Sequence, residues 1–117
     1  MPLDGFNYQP CKDAAILRKA ANLIRIHGHT KADLGSPERG FCVHGAINYA
    51  LRKDVIGHDG GLGVILANYL ISQGIREGVT PGVAVLWNNK EERTKEEVIE
   101  ALEGAAKFAE EKAMETV

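Results

Sequence analysis

Apolar side chains recur at helical spacing along most of the chain. Ile16, Leu17, Ala20, Leu23, Ile24 and His27 fall on one broad face, with Arg18, Lys19, Asn22 and Arg25 mostly opposite. Gly28 is a natural stop for that helix. Val43, Ala46, Ile47, Ala50 and Leu51 fit the i, i+3, i+4, i+7, i+8 template and predict a second helix starting near Phe41 or Cys42. Leu62, Ile65, Leu66, Tyr69 and Leu70 repeat it for a third, with Asp59 as N-cap and Gly74 as stop. The fourth opens at Thr94. Thr94-Lys95-Glu96-Glu97 before Val98 is a capping box, and Val98, Leu102, Ala105, Ala106 and Ala109 form the stripe behind it.

The intervening segments lack this spacing. Residues 1–11 read as a lead-in, His29–Gly40 as a loop punctuated by Gly35, Ser36 and Pro37, and Lys53–Gly61 and Gly78–Gly82 as Gly-rich breaks. Residues 110–117 are expected to fray. Val83-Ala-Val-Leu-Trp87 is a short apolar run that predicts a buried extended segment or a short strand. The expected fold is mostly α: a compact four-helix single domain over residues 1–117, with at most one or two short strands near 83–87.

Composition supports a folded chain. Leu, Ile, Val and Phe make up 30 of 117 residues, enough to collapse. The 14 basic and 16 acidic residues leave a net charge of −2, which argues against a large nucleic-acid surface. No apolar run approaches the length of a membrane span. The opening Met-Pro-Leu-Asp-Gly-Phe has neither the basic nor the apolar region of a secretion signal. A cytoplasmic setting is therefore expected, with Cys11 and Cys42 as reduced thiols.

Four groups of residues could carry chemistry. Cys42 falls near the start of the second helix, where the helix dipole favours a thiolate. With His29 or His44 as base and Asn88 as orienting amide, it would complete a Cys-His hydrolase. The competing reading is a small core residue in Phe41-Cys42-Val43. Second, His27-x-His29 and Cys42-x-His44 offer metal-ligand types, but residues i and i+2 on a helix point about 200° apart, so no metal is expected. Third, His29, Lys31 and Arg39 could present an anion to the start of the second helix. Fourth, Trp87 either continues the core or anchors a protein partner. Gly45 inside the second helix points to close approach by another helix or by the Trp87 segment. No cofactor is expected. Gly60-Gly61-Leu62-Gly63 is not a dinucleotide fingerprint, and no phosphate-binding Gly-x4-Gly-Lys-Ser/Thr occurs.

Ala21-x-Leu23-Ile24, Gly28-His29-x-Lys31, Gly40-Phe41-Cys42-Val43-x-Gly45-Ala46-Ile47, Leu86-Trp87-Asn88-Asn89 and Arg93-Thr94-x-x-Glu97-Val98 stand in this order along the chain. Their order resembles a family of small uncharacterised bacterial proteins, notably actinobacterial, and of their phages. The resemblance covers about Ala14 to Ala106 and implies one compact domain of bacterial or phage origin, in a phage case acting in the host cytoplasm. It implies no activity. Asn89 stands where that family often carries Asp, so an acid–base role there loses its carboxylate. The expected function is a non-enzymatic interaction protein, such as a phage accessory protein that binds and modulates a host factor. A Cys42 hydrolase and a small-molecule or anion binder are the alternatives.

Overall fold

The computed structural model describes residues 10–31, 33–51, 62–75 and 83–115. In these, the helical spacing becomes α1 (Pro10–His27), α2 (Val43–Leu51), α3 (Leu62–Ser72), α4 (Val83–Asn89) and α5 (Lys95–Glu115). Two short strands, β1 (Gly35–Ser36) and β2 (Gly40–Phe41), pair antiparallel with Gly35 opposite Phe41. The domain is mostly helical.

The two long helices, α1 and α5, form the principal contact, and α2 packs on α1. Their shared core is rich in alanine: Ala14, Ala20, Ala21, Ala101, Ala105, Ala106 and Ala109 are buried beside Leu17, Ile24 and Leu102. Small side chains let the helix axes approach closely, and the larger residues fill the gaps between them. Two ion pairs border the contact, Arg18 with Glu110 and Arg25 with Glu103, both at 2.8 Å. α3 rests on α5, and α4 lies against α3 and α2. No helix among the described residues is long and apolar enough to cross a membrane.

The helix boundaries follow from local chemistry. Gly28 adopts φ +105° past the end of α1, and its N–H donates to the Ile24 carbonyl at 2.8 Å. At the start of α5 the capping box is complete. The Glu97 N–H donates to Thr94 Oγ1 at 3.1 Å, and the Thr94 N–H donates to Glu97 Oε1 at 2.9 Å.

Four expectations are corrected. Residues 83–89 form a fifth helix, not a strand or extended segment. Ala84, Trp87 and Asn88 are buried at i, i+3 and i+4, while Val85 and Leu86 face outward. A run without polar positions hides this period. The strands lie instead at 35–36 and 40–41, inside the predicted loop. α1 starts at Pro10, within the predicted lead-in, because proline is tolerated in a first helical turn. α5 continues to Glu115, and Glu110 in its last turns is held by a two-pronged bond from Arg18. The predicted Asp59 cap and the Gly78–Gly82 connector lie outside the described residues.

Candidate functional site

The chemistry-bearing residues of the sequence converge where the 28–41 loop meets α2 and α4. The loop is closed by backbone bonds. The Phe41 N–H donates to the Gly28 carbonyl at 2.9 Å, and the Thr30 N–H donates to the Phe41 carbonyl at 3.1 Å. Gly40 crosses Gly28 so tightly that a Cβ at position 40 would lie 2.6 Å from the Gly28 carbonyl carbon, and its φ is +90°. Further on, the loop lies across the first turn of α2. A Cβ on Gly45 would sit 1.8 Å from the Leu34 carbonyl oxygen. The close approach expected at Gly45 is thus made by loop backbone, not by another helix or the Trp87 segment.

Asn88 joins these parts. It is 1% exposed and uses both ends of its amide. Its Oδ1 accepts the Val43 N–H of α2 at 3.1 Å and a ring N–H of His29 at 2.9 Å. Its Nδ2 donates to the Thr30 carbonyl at 3.3 Å and to Asn89 Oδ1 at 2.9 Å. The oxygen that accepts a backbone N–H cannot also donate, so His29 carries its proton on Nε2 and leaves Nδ1 as an acceptor. Burial lowers the pKa of the imidazole and the Lys31 charge lowers it further, against the opposing pull of the Asn88 bond.

Cys42 occupies the N-cap of α2. Its Sγ accepts the Gly45 N–H at 3.3 Å, and its carbonyl accepts the Ala46 N–H at 2.9 Å. The free thiol is 8% exposed. Burial pushes its pKa up, while the Gly45 and His44 N–H groups pull it down. Among the described residues, no hydrogen bond joins Cys42 to His29; His29 is turned to Asn88. The His–Asn half of the proposed constellation is assembled, and the thiol is engaged with its own helix. His44 lies half-buried on α2, two residues past the thiol.

The three groups of the anion reading each have an internal partner. Lys31 Nζ donates to the Glu91 carbonyl at 2.8 Å. Arg39 pairs with Asp33 at 2.9 Å, with both side chains exposed. The Val43, Gly45 and Ala46 N–H groups that would cradle an anion donate to Asn88 and Cys42. His27 is turned away from His29: its Nδ1–H donates to the Pro37 carbonyl at 3.1 Å, and its ring meets Phe41 edge-on. Among the described residues, no group of three or more His, Cys, Asp or Glu is placed to hold a metal ion.

Trp87, for which core and partner anchor are the two readings, is only 4% exposed and belongs to the core. Arg93 lies over its ring, 4.2 Å from the centroid, and donates from Nε to the Trp87 carbonyl at 2.9 Å. Arg93 was not among the candidates. Its signal was its place a few residues after Trp87, where the chain turns back into α5. The exposed apolar residues of this region are the neighbours of Trp87: Val85 at 45% and Leu86 at 52%. No contrast of residue types marks them, because the run 83–87 is apolar throughout. A shallow groove of about 390 Å³ elsewhere, lined by Ile65, Asn68, Phe108, Ala109 and Lys112, includes none of these residues.

The sequence model of a family of unknown function, DUF6197, matches residues 9–108. No curated protein and no solved structure matches the chain.

Proposed function

The chain belongs to this family of unknown function, and from that premise we propose that it is a non-enzymatic interaction protein that docks a partner protein on the outer face of α4. The observation that carries the reading is the side-by-side exposure of Val85 and Leu86 on a helix whose opposite face is fixed in the core by Trp87 and Asn88. An apolar pair held on a rigid element loses little conformational freedom on binding. Exposed apolar side chains on such an element suit a protein partner. The internal bonds of Lys31 and Cys42 support the same reading, because they occupy groups that anion binding or catalysis would use. The resemblance to bacterial and phage proteins suggests an accessory role in the cytoplasm, with a host factor as partner.

The test is capture from host lysate on immobilised wild-type protein, Val85→Glu/Leu86→Glu and Ile26→Glu. Ile26 is 73% exposed on α1 and serves as an apolar control on another helix. A partner retained by Ile26→Glu and lost by the double variant, with unchanged circular dichroism, supports the reading. Equal capture by all three, or no capture, overturns it.

The 2.9 Å contact between His29 and Asn88 favours a second reading, a Cys-His hydrolase with Cys42 as nucleophile. There His29 Nδ1 would take the thiol proton while Asn88 held the ring. Labelling of Cys42 in the native protein, with an apparent pKa well below the free-thiol value of about 8.5, supports it. Protection of Cys42 until the protein unfolds removes it.

A further inference from the structure

We draw no further inference here: the strongest candidate, the shallow groove between α3 and α5 lined by Ile65, Asn68, Phe108, Ala109 and Lys112, carries nothing because nothing among the described residues shows what occupies it.

Discussion

His29 and Asn88 stand 59 positions apart in the chain and meet at 2.9 Å, imidazole N–H to amide oxygen. The same oxygen accepts the Val43 N–H, so one buried acceptor ties the 28–41 loop and the start of α2 to α4. The amide nitrogen completes the tie through the Thr30 carbonyl.

Asn88→Ala should therefore destabilise the fold well beyond its loss of packing. It strands the Val43 N–H and the Thr30 carbonyl, and each buried orphan costs about 1–3 kcal/mol, so a loss of about 3 kcal/mol is expected. Asn88→Asp keeps an acceptor for Val43 and His29 but turns a second carboxylate oxygen toward Thr30 and Asn89, which both accept from Asn88 now. It should be at least as damaging at neutral pH and partly rescued in acid, when the carboxyl regains a donor. Urea unfolding of the three proteins reads this directly. A loss under about 1 kcal/mol for Asn88→Ala would mean that solvent replaces the amide and that no tie exists.

His29 gives the fold a pH dependence of defined sign. Its pKa is lowered in the folded state, first by burial and then by Lys31. The unfolded chain therefore binds more protons through the histidine range. Stability from this group is complete above the ordinary histidine pKa of about 6.5 and is lost as pH falls through the folded value. Thermal midpoints measured from about pH 5 to 7 should fall on acidification. The slope should be shallower in His29→Gln, whose amide has no proton to gain. An identical slope in the variant would assign the acid sensitivity to other groups.

Gly45→Ala tests the contact between the loop and α2. Alanine is favoured over glycine inside a helix by about 1 kcal/mol, so propensity alone predicts stabilisation. The added Cβ would lie 1.8 Å from the Leu34 carbonyl oxygen, and backbone cannot swing aside as a side chain does. Overpacking should dominate, with a net loss of about 2 kcal/mol. Gly104→Ala is the comparison. There the Cβ meets the Tyr69 hydroxyl at 2.2 Å, the far end of a side chain, and the loss should be smaller. Chemical denaturation giving the reverse order would show that the loop yields more easily than Tyr69.

The helical stripes were legible because each buries one face, so the 3.6-residue period survives in the residue types. Val98, Leu102, Ala105, Ala106 and Ala109 are all buried as that period requires. Residues 83–89 were not legible, since Val85 and Leu86 are apolar yet exposed and the contrast between faces vanishes. For the site, helix spacing placed Cys42 near the beginning of α2, and the structure makes it the N-cap. Helix position alone favours thiolate; the burial that opposes it depends on how the loop folds over α2. Asn88 was singled out as an orienting amide and does hold His29. That it also caps Val43 and holds Thr30 depends on a long-range fold that no local spacing encodes.

Arg93 supplies the last prediction. It covers the Trp87 ring and donates to the Trp87 carbonyl near the end of α4, just before Thr94 caps α5. It therefore links the chain reversal between two helices to the aromatic anchor of the shorter one. Its side chain also reaches Glu97 at 3.4 Å, but that carboxylate is largely exposed and the pair contributes little. Removing the guanidinium should cost about 2 kcal/mol through the lost stacking and hydrogen bond. Arg93→Lys should recover less than half, because an ammonium lacks the planar face and the Nε–H that reach ring and carbonyl together. Trp87 is the sole tryptophan, so its fluorescence reports the site without interference. Arg93→Ala should shift the emission to longer wavelength and raise quenching by acrylamide as water reaches the ring. If stability falls while emission and quenching stay at wild-type values, Arg93 acts through the α4–α5 turn and not by shielding Trp87.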